Sequence, residues 1–366
     1  LIIETINYLI SELSLADRKK ISWMTAAGNT IMTHMFLGID PINIKREPYI
    51  PTANIIPPYK AKDLGIRVNS EAYLYCLPSR SGYVGGDITA DIIACEMYKH
   101  PELALMIDVG TNGEVVLGNQ DWLAACSCSA GPAFEGGEVE YGMRAAAGAI
   151  EKVTLTKDWT VKYQTIKGIK PKGICGSGLI DLIAEMFIHS VVDRNGAIVK
   201  KTHDRVRDGD EGKEFVVAWS EETDFEKKSD IVITDIDIKN IIRTKAALYA
   251  ACSLLLKDMN YTFEDIDKIY IAGGFGNYIN TQKAILIGLL PDVPLEKFEF
   301  IGNGSLAGAG LTLVSEDLRM KSEDIYRKMT YIELSVSNEF FNEFTSALFL
   351  PHTDIDLFPS VKKLLE

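Results

Sequence analysis

Long apolar runs are missing from this 366-residue chain. None approaches the roughly 20 consecutive apolar residues that a membrane-spanning helix needs. The N-terminus also lacks a basic segment followed by a leader-like apolar stretch. A cytoplasmic protein with no membrane partner is therefore expected. Positive charge is scarce as well: 38 Lys and Arg stand against 51 Asp and Glu, a formal net charge of −13. That balance argues against general nucleic-acid binding, because displacing counterions from phosphates requires cations. The six cysteines are scattered without a disulfide-like framework, in a chain large enough not to need one. Cys76, Cys95 and Cys252 read as small buried hydrophobes. Cys126-Ser127-Cys128 is a close pair, but its spacing fits neither a ferredoxin nor a zinc ribbon. The five histidines show no metal-ligand spacing, and neither a short repeat nor a low-complexity tract is present.

What is present is an ordinary globular composition, 47% hydrophobic, and enough length for two domains. The most informative stretch runs from Met106 to Gly118: an apolar strand ending in Asp108, a turn through Gly110, Thr111, Asn112 and Gly113, and a second strand. A carboxylate at a strand end can hold a metal-bound water, and exposed turn N–H groups can cradle a phosphate. Asn-Gly between apolar strands is equally the signal of an ordinary two-residue hairpin. Downstream, the strand Lys268 to Ala272 stops in Gly273, Gly274, Phe275, Gly276 and Asn277. Glycines there let a flat ring or a phosphate approach the backbone. That order of hairpin and glycine turn is the one used by the acetate and sugar kinase, Hsp70 and actin superfamily.

The rest of the chain alternates helix and strand. An amphipathic helix spans Ile2 to Leu13; a strand from Ile21 leads through Gly28-Asn29-Thr30 into a helix ending near Leu37. Gly85-Gly86-Asp87 opens a helix through Met97, and a lobe boundary near His100 is expected. The loop from Cys126 to Gly137 is rich in small residues, Val153 to Tyr163 alternates like one strand, and Cys175-Gly176-Ser177-Gly178 precedes an apolar helix. The N-terminal turn of that helix offers N–H groups to an anion, or is simply a tight turn before a buried helix. Arg205 to Asp230 reads as a charged surface hairpin. Thr234 or Asp235 can cap a long helix to about Met259. Strands at Lys268 to Ala272, Phe298 to Ile301 and Tyr331 to Leu334 complete a pattern of mixed or parallel sheets with ligands at strand ends.

Taken in order, Thr25 to Met32, Gly85 to Ala90, the hairpin through Glu114, Cys126 to Gly137, Cys175 to Gly178, Gly273 to Tyr278 and Ile301 to Ser305 resemble the C-terminal ATPase-like part of the reductive activators of corrinoid proteins. The resemblance implies an α/β, two-lobed actin/Hsp70/sugar-kinase-like fold with mixed sheets flanked by helices and an incomplete first lobe. Residues 1–103 would be the remnant of the first lobe and 104–366 the second. The implied activity is ATP-dependent return of a corrinoid protein from cobalt(II) to cobalt(I). The family carries an iron–sulfur domain; no such cysteine set occurs in this sequence, and only one Asp-x-Gly-Thr hairpin is present. Because the chain starts within a helical pattern, a fragment of a longer protein is expected, with an iron–sulfur cluster and the upstream electron donor's contact in another domain.

By the same resemblance, Asp108, Gly110, Thr111, Asn112 and Gly113 would hold phosphate and the magnesium shell. Gly176, Ser177 and Gly178 would lie near the ATP, and Gly273, Gly274, Gly276 and Asn277 would wall the adenosine. Asp87 would orient water or Mg2+, or else cap its helix. Lys245 would touch phosphate, or else be solvated. Ser127 and Ser129 would offer hydroxyl oxygens to the corrinoid partner from a loop that is otherwise a tight buried turn. Homodimerisation is a family-level expectation. The competing readings are a small-molecule kinase of the same superfamily, drawing on Asp87 and Glu114, and a non-catalytic nucleotide-sensing module.

Overall fold

The computed structural model describes residues 1–13, 17–199, 202–210, 212–223, 229–273, 279–334 and 338–366. The chain divides into two compact units: residues 1–106, 116–126 and 303–332, and residues 107–115, 127–302 and 333–366. A six-stranded sheet has the order Phe298–Gly302, Lys268–Ala272, Ala104–Val109, Gly113–Gly118, Leu123–Cys128, Met329–Tyr331.

In the first unit, strands Trp23–Ala26 and Tyr73–Cys76 pair in parallel, with Tyr59–Lys60 antiparallel on the other side of Tyr73–Cys76. Helix Thr30–Leu37 starts where the Asn29 side chain accepts from the Ile31 N–H at 2.9 Å and ends at Gly38, whose φ of 70° suits glycine. Apolar residues Ile10, Leu37, Ile66, Leu74 and Cys76 close one core. Helix Gly86–Cys95 packs on helix Gly304–Val314 so closely that a Cβ at Gly308 would lie 2.0 Å from the Ala90 carbonyl oxygen. The Tyr75 hydroxyl and Ser322 Oγ, 2.8 Å apart, tie helix Glu316–Lys328 to the same sheet.

In the second unit, the 24-residue helix Asp235–Asp258 begins with a capping box: Thr234 Oγ1 accepts from the Asp237 N–H at 3.1 Å, and Asp237 Oδ2 accepts from the Thr234 N–H at 2.9 Å. Helix Gly176–Ile188 is buried along nearly its whole length. It is flanked by a sheet ordered Val161–Thr165, Ala149–Leu155, Gly173–Ile174.

Three expectations change. Val153 to Tyr163 is not one strand but two, Ala149–Leu155 and Val161–Thr165, paired antiparallel. Trp159 takes a φ of 61° in the turn between them, where Thr156 Oγ1 accepts from the Thr160 N–H at 3.1 Å. The charged stretch after Arg205 is a sheet of Val206–Gly209, Gly212–Ala218 and Ile231–Thr234, and Phe215 to Ala218 are fully buried rather than on a surface excursion. The strand near Tyr331 spans Met329–Tyr331 and runs parallel to Leu123–Ala125. Among the described residues no helix is long and apolar enough to cross a membrane.

Candidate functional site

Strand Ala104–Val109 is buried except at Asp108, which is partly open. The chain then reverses: the Gly110 N–H donates to the Asn112 carbonyl at 3.2 Å, and the Thr111 carbonyl accepts from the Gly131 N–H at 2.9 Å. Thr111 Oγ1 donates to Glu135 Oε2 at 3.1 Å, and a Cβ at Gly110 would lie 3.3 Å from Glu135 Oε1. Glu135 therefore sits over the turn as a second carboxylate. It stands inside the small-residue loop motif, where the sequence offered no reason to single it out.

Gly273 comes up against this hairpin. It takes a φ of 114°, its N–H donates to the Gly302 carbonyl at 3.0 Å, and a Cβ on it would lie 2.5 Å from Val109 O and 3.4 Å from Asp108 Oδ1. The first glycine of the downstream motif and the carboxylate of the hairpin are thus neighbours. Gly274, Gly276 and Asn277 lie outside the described residues.

Gly113 is buried; a Cβ there would meet Leu248 Cδ2 at 2.2 Å and Cys128 Sγ at 2.9 Å. The next residue, Glu114, is buried, with its Oε1 3.5 Å from Ser127 Oγ. Burial, with Glu114 adding to it, pushes the Cys128 thiol up to about 12. Cys126, Ser127 and Cys128 prolong strand Leu123–Cys128 instead of forming a loop; Ser127 is half-buried and Ser129 is exposed. Ala133 and Phe134 beyond them are buried.

Gly176, Ser177 and Gly178 form the first turn of their helix and are all buried. Phe134 O lies 2.3 Å from where a Gly176 Cβ would be, and Ile150 O lies 2.2 Å from that of Gly178. Ser177 Oγ is 3.5 Å from Cys175 Sγ.

Two sites depart from the sequence reading. Lys245 is neither solvated nor aimed at phosphate: it is fully buried, and its Nζ donates to the carbonyls of Phe349 and Pro351, both at 2.5 Å. Burial holds its pKa well below that of an ordinary lysine. In the first unit, the N-cap position of helix Gly86–Cys95 belongs to Gly85, and Asp87 stands in the first turn, its Oδ1 accepting from the Ile88 N–H at 3.0 Å.

With this geometry in view, residues 102–362 match the family described as the C-terminal domain of RACo, the ASKHA domain, and residues 1–100 match the RACo middle region. The chain belongs to the RACo family. Its α/β fold is the actin-like fold of RACo. A solved RACo relative, a reductive activator for corrinoid, iron–sulfur protein, superposes with a TM-score of 0.93 at 49% identity, over 98% of this chain and 58% of that one. The corrinoid activation enzyme RamQ of Eubacterium limosum is 33% identical over 351 residues, 93% of this chain and 58% of RamQ. The Co(II) methylated amine-specific corrinoid protein reductase of Methanosarcina barkeri is 25% identical, over 94% of this chain and 65% of that protein. The chain thus spans less than two thirds of the length of each of these relatives.

Proposed function

We propose that this chain is the nucleotide- and partner-binding part of an ATP-dependent reductive activator that returns a corrinoid protein from cobalt(II) to cobalt(I). The observation that carries the reading is the turn after Asp108 with Gly273 against it, in a chain of the RACo family.

The turn of Gly110, Thr111, Asn112 and Gly113 holds phosphate in this reading, and Gly176, Ser177 and Gly178 lie near the nucleotide. Gly273, Gly274, Gly276 and Asn277 wall the adenosine. Magnesium fits the donor set as a water-bridged ion. Asp108 is partly open and Glu135 stands over the same turn, while among the described residues no group of three His, Cys, Asp or Glu could hold a metal directly. A bound ion would neutralise phosphate charge, and Asp108 and Glu135 would orient its waters. Asp87 is the resemblance's further candidate to orient water or Mg2+. Ser127 and Ser129 present hydroxyl oxygens to the corrinoid partner.

An iron–sulfur cluster in another domain of the intact protein would supply the electron, taken from an upstream donor. ATP drives the unfavourable transfer only by favouring one partner-binding state over another. Residues 1–103 and 104–366 act as the remnant first lobe and the second lobe, in the cytoplasm and in a homodimer.

The test uses the intact protein, its corrinoid partner and a reductant. Loss of the cobalt(II) absorption band should require ATP, and Asp108→Ala should slow it at least about 100-fold, roughly 2.7 kcal/mol. Activation without ATP, or wild-type rates in Asp108→Ala, would end the proposal.

A further inference from the structure

Lys283 lies outside the hairpin and glycine motifs, yet its ammonium is spent entirely inside the second unit. Its Nζ is 3.1 Å from Asp181 Oδ2 and 3.0 Å from Glu185 Oε1, and donates to Val153 O at 2.7 Å. An ammonium has three donors, and each meets an acceptor. The carboxylates are occupied from the other side as well: Asp181 Oδ2 accepts from the Val153 N–H at 3.1 Å and Glu185 Oε2 from the Leu155 N–H at 2.8 Å. The three side chains are only 14%, 9% and 11% exposed. Burial raises the Asp181 carboxyl above the usual range, with Lys283 opposing that rise.

The elements joined here are the helix that begins with Gly176-Ser177-Gly178 and the first described helix after Gly273. Asp181 and Glu185, four residues apart on one helix face, belong to helix Gly176–Ile188, whose first turn is Gly176-Ser177-Gly178. Lys283 belongs to helix Thr281–Leu286, the first helix after Gly273 among the described residues, where Asn280 Oδ1 accepts from the Lys283 N–H at 3.2 Å. Strand Ala149–Leu155 is the common rail. A buried ion cluster adds little net stability over apolar residues of the same volume, because desolvating the charges cancels their attraction. Its directional hydrogen bonds can instead fix the position of one element on another.

We propose that Lys283 is a positioning residue for the nucleoside side of the site, locking the Gly176 helix and the helix that follows Gly273 to one register on strand Ala149–Leu155. The inference rests on the nucleotide reading above and extends it. A purine nucleoside triphosphate, which leans on the Gly176 turn and on Gly273, feels that register; a bare triphosphate held by the hairpin does not.

The experiment compares binding of Mg-ATP and of inorganic tripolyphosphate by the intact wild type and Lys283→Met, using calorimetry on samples shown by circular dichroism to be folded. Expected is at least a tenfold loss of ATP affinity with tripolyphosphate affinity kept within threefold. An unchanged ATP affinity, or an equal loss for both ligands, would overturn the positioning role. Wild type that binds neither ligand would overturn the nucleotide reading itself, a distinct failure. Should the variant not fold, hydrogen exchange on the wild type decides: ATP should protect residues 177–186 and 281–287 together, and protection of one segment alone would refute the lock.

Discussion

At Gly176 and Gly178 a methyl group would lie 2.3 Å from Phe134 O and 2.2 Å from Ile150 O; at Gly110 it would meet nothing nearer than Glu135 Oε1 at 3.3 Å. Both regions read as glycine-rich ligand turns, but the glycines serve different ends. In the helix start, backbone approaches backbone and no side chain fits. In the hairpin, Gly110 does not take the left-handed backbone region, and its nearest neighbour is the end of a side chain that can move. A glycine motif thus stands either where main chain presses on it or where only a movable side chain does, and the surrounding atoms tell the two apart.

The contrast can be broken in order of expected size. Gly178→Ala should destabilise the folded protein by about 3 kcal/mol, or prevent folding, because the obstacle is a main-chain oxygen that cannot swing aside; urea denaturation measures it. Gly110→Ala should leave stability within about 1 kcal/mol, while titration of the intact protein with Mg-ATP shows at least a tenfold weaker affinity. Equal stability losses at the two positions would erase the distinction. The smallest effect concerns Cys128, whose Sγ fills the space beside Gly113. With the thiol at about 12, its thiolate fraction at pH 8 is about one part in ten thousand. The folded state binds the proton more tightly than the unfolded state, so alkylation by iodoacetamide should be undetectable at pH 8 in the native protein. It should begin once urea restores an ordinary thiol; mass spectrometry reads both states.

Much of this was legible from the residues. The turn after Asp108 announced itself because Asn112-Gly113 sits between two apolar strands, and the start of the long helix because Thr234 and Asp235 are both capping residue types; the structure gives the cap to Thr234. The neighbourhood of Gly273 and Asp108 followed from the order of motifs. What stayed hidden is what tertiary packing decides. The alternating pattern of Val153 to Tyr163 continues straight through the Trp159 turn, so period alone cannot show the reversal. Phe215 to Ala218 are masked by charged neighbours that face outward. Lys245 and Lys283 resemble surface lysines until the carbonyls and carboxylates that receive them, far away along the chain, are known. Glu135 gains meaning only when Thr111 folds back toward it.

The pairing of helix Gly86–Cys95 with helix Gly304–Val314 bears on how the chain is made. Some two hundred residues separate the partners, so a nascent chain halted anywhere before residue 303 leaves the surface around Ala90 uncovered. The first unit, though mostly drawn from residues 1–106, is completed only once residues 303–332 have been made, and a recombinant piece stopping at residue 103 would carry a greasy scar where its missing neighbour belongs.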